Sequence, residues 1–328
     1  ALLALLALLA GCGSAPRDEF PPAAEPASSP PLTATPDGRL VPVGFKPEGA
    51  VADPRTGLVA VGLRSPDELA LVNGTTGKVE RRVPLDAAPR HLGIAGAGGP
   101  VLVPAEDADA LLQVALPGGA VTRTRTGREP HDAAAAGERV FVADEFAHRL
   151  TVLEDGKPVT TIKTALQPGG VTPLDNGRQV AVVSVRERVV ETFDVASGKR
   201  TGRAPAGVGP THAVSNGDNY LFVTDTTGGA LLVYHLRPEL ELIRRYPLPG
   251  SPYGIAIDNR RQRMYISQTA LNQLTELIVG GRPSLVRRFA TAQQPNTVAV
   301  DESSGRVFVT GKVDGVLQLL DPGRERAR

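Results

Sequence analysis

Gly254-Ile255-Ala256-Ile257-Asp258, Arg263-Met264-Tyr265-Ile266-Ser267, Leu274-Thr275-Glu276-Leu277-Ile278 and Leu285-Val286-Arg287-Arg288-Phe289 form a run of four short segments opened by Pro252, with turn residues between them at Asp258-Asn259-Arg260 and Val279-Gly280-Gly281. Apolar residues recurring every second position have the period of a strand, and Asp, Asn and Gly supply the turns between strands. The unit therefore predicts a four-stranded antiparallel sheet. Its opening proline recurs at Pro47, Pro89, Pro130, Pro168, Pro210, Pro252 and Pro295, with spacings of 42, 41, 38, 42, 42 and 43 residues. That period belongs to a four-stranded propeller blade. Seven anchors predict an all-β, seven-bladed β-propeller over residues 39–323. A lone blade cannot bury its faces, so stacked blades behave as one cooperative domain.

The series is one strand short at its end. The last unit supplies strands at 296–301, 306–310 and 315–321, then meets the basic tail Arg324-Glu325-Arg326-Ala327-Arg328. Upstream of the first anchor, Arg39-Leu40-Val41-Pro42-Val43-Gly44-Phe45 alternates as an outer strand with no blade of its own. Pairing of residues 40–45 with residues 315–320 is expected to close the ring and remove an open edge; Pro42 is tolerated because an outermost strand has a solvent-facing side.

The chain of 328 residues holds 36 Gly and 29 Pro, and its 36 Lys+Arg against 35 Asp+Glu leave a net charge of +1. Frequent turn residues agree with a repeat of short strands. Without a global field, no nucleic-acid partner is expected. Residues 1–10 are an unbroken Leu/Ala run, too short to span a bilayer and sized as the apolar core of a secretion signal. The basic leader and initiator Met are missing, so the sequence is expected to be clipped at its start. The run ends in Leu9-Ala10-Gly11-Cys12, which resembles the bacterial lipobox and implies a diacylated Cys12 as the mature N-terminus. The expected organisation is a lipoprotein signal peptide over 1–11, a tether over 12–38, the propeller, and a basic tail over 324–328. The protein would then be lipid-anchored outside the cytoplasmic membrane, at the cell surface or in the periplasm. Cys12 is the only cysteine, which leaves no internal disulfide and no Cys-based zinc site. The tether is dense in Pro, Ala and Ser and reads as an extended spacer.

At the second-strand position stand Phe222-Val223-Thr224-Asp225, Tyr265-Ile266-Ser267-Gln268 and Phe308-Val309-Thr310-Gly311. With the Pro-anchored first strands, these resemble the YVTN family of bacterial propellers, whose repeat looks like P-x-G-x-A-x-D followed by Y-V-T-N. The resemblance spans about residues 39–322. It implies a WD40-like propeller and leaves function open, since propellers of this kind bind, scaffold and sometimes catalyse.

In a four-stranded blade, the loop entering the first strand and the loop between the second and third strands open on the same face. The residues after each anchor are Glu48, Arg90 and His91, His131 and Asp132, Gly169 and Gly170, Thr211 and His212, Tyr253, and Asn296 and Thr297. The second-to-third loops add Arg64, Glu106, Asp144, Glu145, Arg186, Asp225, Gln268 and Lys312. Strand interiors must pack in every blade, whereas these loop positions vary, and varied side chains on a fixed scaffold are how loops acquire function. A ligand-binding face is expected at Arg90, His91, His131, Asp132, Asp144, His212, Tyr253 and Asn296. It would hold a partner protein, a peptide or a small polar ligand on a non-enzymatic, monomeric binding propeller. Its three histidines should make affinity change between about pH 6 and 7.

The alternative is a metal-dependent hydrolase or lyase. Glu48, Asp132 and Asn296 are similar to the Glu, Asn and Asp set that holds the channel metal of gluconolactonase and regucalcin-like propellers. That similarity implies calcium or magnesium polarising a lactone carbonyl. Those enzymes have six blades and this chain has seven; without the set, no cofactor is expected. A zinc or haem site from His91, His131 and His212 has only the blade period as its spacing, and no G-x-S-x-G elbow is present. The Arg81-Arg82, Arg244-Arg245 and Arg287-Arg288 pairs fall on fourth strands, where charge guards the outer edge.

Overall fold

The structure, a computed structural model, describes residues 20–217 and 219–323. The Cys12 motif and the tail 324–328 lie outside the described residues. The chain forms seven four-stranded antiparallel sheets, with four single-turn 3-10 segments as the helical content among the described residues. Blade 6 is built from Pro252–Asp258, Arg263–Gln268, Gln273–Ile278 and Ser284–Ala290, each strand pairing with the next. These contain the four segments read from the sequence, lengthened by one or two residues. No described helix is long and apolar enough to cross a membrane.

Each sheet presents two apolar faces, and neither can be buried within its own blade. The core is accordingly divided into seven clusters, one per blade junction. Phe222, Leu231 and Val233 of blade 5, for example, meet Ile255, Met264 and Ile266 of blade 6. The first strands line a central cavity of about 390 Å³.

The ring closes as expected. Arg39–Pro42 is the outermost strand of the blade made by Pro295–Asp301, Arg306–Gly311 and Val316–Leu320. Its register sets Val41 opposite Leu317 and Pro42 opposite Val316. Val43 continues the contact through its N–H to the Gly315 carbonyl at 3.0 Å. The strand stops short of residue 45 because Gly44 turns the chain at φ +136°, a conformation that an L side chain rarely adopts.

Part of the expected tether differs from a solvated spacer. Residues 27–30 hydrogen-bond to the rim of blades 6 and 7. Asp37 exchanges two hydrogen bonds with Ala290: its N–H donates to the Ala290 carbonyl and its Oδ2 accepts from the Ala290 N–H. Composition predicts what a segment cannot bury alone, and says nothing of partners that the fold places beside it.

Candidate functional site at the channel mouth

The first strand of five blades carries an irregularity just after its anchor proline, at Pro130/Asp132, Pro168/Gly170, Pro210/Ala213, Pro252/Ile255 and Pro295/Val298. A bulge takes residues off the ladder and re-aims their side chains. His131, His212, Tyr253 and Asn296 are placed this way, on scaffolds fixed by the buried strand that follows. Where a blade has Gly at the second position after Pro, the next blade's backbone is close. A Cβ on Gly49 would lie 2.5 Å from the Arg90 carbonyl oxygen, and one on Gly254 2.5 Å from that of Asn296. Blades 2, 3 and 5 carry His91, Asp132 and His212 at that position instead, so the repeat is broken where the channel receives its polar groups.

Four of the expected residues come together as a ring cluster. His91 lies 4.8 Å from His131 and 4.4 Å from His212, centroid to centroid. Tyr253 meets His212 edge-on at 4.6 Å. The Nε2 atoms of His91 and His212 are 3.2 Å apart, a separation at which one ring donates and the other accepts. Burial, then His131 and Arg90, push the His212 imidazole down to about 3. Burial, the other two histidines, Arg90 and Arg64 hold His91 well below the usual range. Both rings are neutral at pH 6 to 7, so the expected affinity change in that interval does not come from them.

His131 is held differently. Its Nδ1 is 2.8 Å from Glu145 Oε2 and 3.8 Å from Glu106 Oε1. Burial acts to raise the Glu145 carboxyl, but His131, Gln167 and Arg90 outweigh it and lower it. Gln167 donates from Nε2 to Glu145 Oε1 at 3.0 Å. Glu106 is shared with Arg64 at 3.0 Å and Arg90 at 3.4 Å. Glu106, His131 and Glu145 offer ligand atoms all within 4.8 Å of one another, the one such His/Asp/Glu group among the described residues.

Of the expected oxygen set Glu48, Asp132 and Asn296, the first and last meet directly, while Asp132 lines the same cavity as Asn296 but spends its hydrogen bonds elsewhere. Glu48 Oε1 accepts from Asn296 Nδ2 at 3.1 Å, and Oε2 faces Lys312 Nζ at 2.6 Å. Burial acts to raise Glu48, but Lys312, Arg90 and Asn296 hold its carboxyl low. The position a cation would take is filled by an ammonium. Asp132 accepts the N–H groups of Ala133 and Val171, both at 2.9 Å, and shares no hydrogen bond with Glu48 or Asn296. Burial lifts its carboxyl to about 6, against those two bonds and His131.

Asp144 also leaves the expected face. It is fully buried and accepts from Thr151 Oγ1 at 2.5 Å within its own blade. Asp225 does the equivalent work in blade 5, accepting from Val208, Gly209 and Gly228 N–H groups. A polar residue ending a buried second strand needs its own partners, and the blade interior supplies them. Among residues outside the expected set, Glu129, Gln167, Ser251 and Gln294 join the rim. Each precedes an anchor proline with φ between 52° and 61°. A residue before proline ordinarily takes extended backbone with negative φ, so the sequence carried no signal for this left-handed conformation.

No family model matches the chain, and no curated protein matches it. Solved structures do. A chain of Kuenenia stuttgartiensis hydrazine synthase is similar at a TM-score of 0.75 and 16% identity, over 89% of this chain and 98% of that one. Virginiamycin B lyase from Staphylococcus aureus is similar at 0.69 and 13%, over 86% and 99%. The β-propeller domain of Myceliophteria thermophila Cps50 (Swd1) is similar at 0.74 and 11%, over 86% and 98%. At these identities the likeness concerns the fold: the chain is a seven-bladed β-propeller.

Proposed function

We propose that this propeller is a binding protein that holds a small polar ligand at the channel mouth, against Arg90, His91, His212 and Tyr253. The observation that carries the reading is a cavity of about 390 Å³ lined by His91, Asp132 and His212, all three strongly shifted by burial, with Tyr253 packed against His212. Such convergence in a concave site is characteristic of ligand binding. Around the ring cluster cations and carboxylates balance, Arg64, Arg90 and Lys312 against Glu48, Glu106 and Glu145, which favours a neutral or zwitterionic ligand. Thermal-shift screening against amino acids, sugars and small carboxylates tests the reading. A binder should raise the melting temperature of the unaltered protein and lose its effect in Arg90→Ala and Tyr253→Phe. A binder indifferent to both changes, but abolished by substitutions at the opposite-face turn Asp175–Gly177, would place the site elsewhere.

The second reading is a metal-dependent hydrolase or lyase, favoured by the Glu106, His131 and Glu145 donor set and by a lyase among the similar structures. One imidazole with two carboxylates suits manganese, iron, cobalt or zinc better than calcium. It ranks second because Arg64 and Arg90 already hold Glu106, and an added cation would face both. Metal analysis after dialysis, with a Mn²⁺ or Co²⁺ titration followed by melting temperature, separates the readings, since an ion bound only by the folded state raises stability. In either reading the lipobox at Cys12 supports a membrane-anchored protein outside the cytoplasmic membrane.

A further inference from the structure

Residues 26–31, Pro26-Ala27-Ser28-Ser29-Pro30-Pro31, cross the mouth rim without joining any sheet. Their backbone is nevertheless read group by group. The Ala27 N–H donates to Ser251 Oγ at 3.1 Å, and the Ala27 carbonyl accepts from Gln294 Nε2 at 3.0 Å. The Ser29 N–H donates to Gln294 Oε1 at 2.8 Å. The Pro30 carbonyl accepts from Asn272 Nδ2 at 2.8 Å and Gln293 Nε2 at 3.1 Å. One side chain is read as well: the Ser29 hydroxyl donates to the Thr269 carbonyl at 2.5 Å and accepts the Gln294 N–H at 3.1 Å.

The amide of Gln294 thus grips two alternate residues, which requires an extended peptide. The N–H groups of Ala27 and Ser29 are the donors used, and none is asked of Pro26, Pro30 and Pro31, which have none to give. Proline keeps such a segment extended before it binds, lowering the ordering cost. The readers are themselves fixed. Ser251, Asn272 and Gln294 sit at φ 58°, 47° and 61°, and Asn272 Oδ1 accepts the Gln294 N–H at 3.1 Å. These contacts are polar and lie at the rim rather than in the core, as in a docked ligand.

We propose that Ser251, Asn272, Gln293 and Gln294 form a docking groove for an extended proline- and serine-rich segment of a partner protein. Residues 26–31 occupy it as a displaceable ligand in cis. Recognition is by backbone groups plus one hydroxyl placed before a Pro-Pro step, and it stands independently of the ligand at the channel mouth. A tethered segment competes at high effective concentration, so the groove is open to a partner only when the strap is weakened.

The test uses the full chain and a fluorescein-labelled peptide, Ala-Glu-Pro-Ala-Ser-Ser-Pro-Pro-Leu-Thr, matching residues 24–33. The double variant Ala27→Pro with Ser29→Pro removes both donor N–H groups from the strap and leaves the groove untouched. It should bind the peptide at least ~10-fold more tightly than the unaltered chain, by release of the cis competitor. Adding Gln294→Ala should abolish that binding while circular dichroism and melting show a folded propeller. A peptide with Ala at the Ser29 position should bind several-fold more weakly. Equal binding by the double variant and the unaltered chain, or binding that survives Gln294→Ala, would overturn the proposal. A concentration-dependent dimer of the unaltered chain that disappears in the double variant would overturn the partner-peptide assignment in favour of strap exchange between copies.

Discussion

His212→Gln should flatten the acid limb of the stability curve. The folded His212 imidazole titrates at about 3, against 6.5 for the ordinary ring. The unfolded chain therefore takes up a proton below pH 6.5 that the folded chain refuses until about pH 3. Stability is fully present above 6.5 and is lost as pH falls through that window. At pH 5 the two titrations differ by about 1.5 logarithmic units, which at 1.36 kcal/mol per unit is about 2 kcal/mol. His91 acts with the same sign. Asp132 opposes them: its carboxyl, lifted to about 6 from 3.8, binds a proton in the folded state first and returns about 1.4 kcal/mol at pH 5. Urea unfolding at pH 7.5 and 5.0 measures the balance. Relative to the unaltered protein, His212→Gln should gain about 2 kcal/mol on going from the higher to the lower pH, whatever its stability at pH 7.5. Parallel losses in the two proteins would show that His212 is freely protonated in the folded state and that the ring cluster is not closed to water.

Other outcomes follow from the same geometry. Removing residues 1–43 strips the closing strand with its buried Val41 and Val43, a loss of at least about 3 kcal/mol in burial alone. Aggregation should follow from the freed edge, whereas removal of residues 1–26 should leave the melting temperature within a few degrees. Gly228→Ala places a Cβ 1.9 Å from Asp225 Oδ2, so it should cost about 2 kcal/mol or more, read by chemical denaturation, as the three N–H bonds to that carboxylate are disturbed. Lys312→Met should leave Glu48 buried with Asn296 as its side-chain hydrogen-bond partner and Arg90 as its remaining cation, lowering the midpoint of unfolding at pH 7.5 by the equivalent of about 3 kcal/mol and less at pH 4.5, where the carboxyl can protonate. Cys12→Ala should move the protein from the membrane fraction to the supernatant after a salt wash, because two acyl chains anchor stably; retention would refute the lipobox reading.

The blade count, the strand order within a blade and the closure of the ring were legible in the chain itself. Each rests on a repeat: a proline about every 42 residues, alternation every second residue, and an orphan strand before the first anchor. Burial of both sheet faces imposes the same demand on every blade, and so writes itself periodically into the sequence. The mouth was legible as a list of positions but not as a set of contacts. That His91 and His212 touch across 121 positions of sequence, that Lys312 fills the place beside Glu48, and that Asp144 turns inward to Thr151 depend on bulges and on the angle between blades. Neither has a local signature. The strap shows the same limit from the other side, since residues 26–31 carry the composition of a linker and acquire their structure from Ser251, Asn272, Gln293 and Gln294. Periodic packing is a property of each blade and can be read one blade at a time; the site belongs to residues from blades far apart in the chain, and only the closed ring brings them within reach of one another.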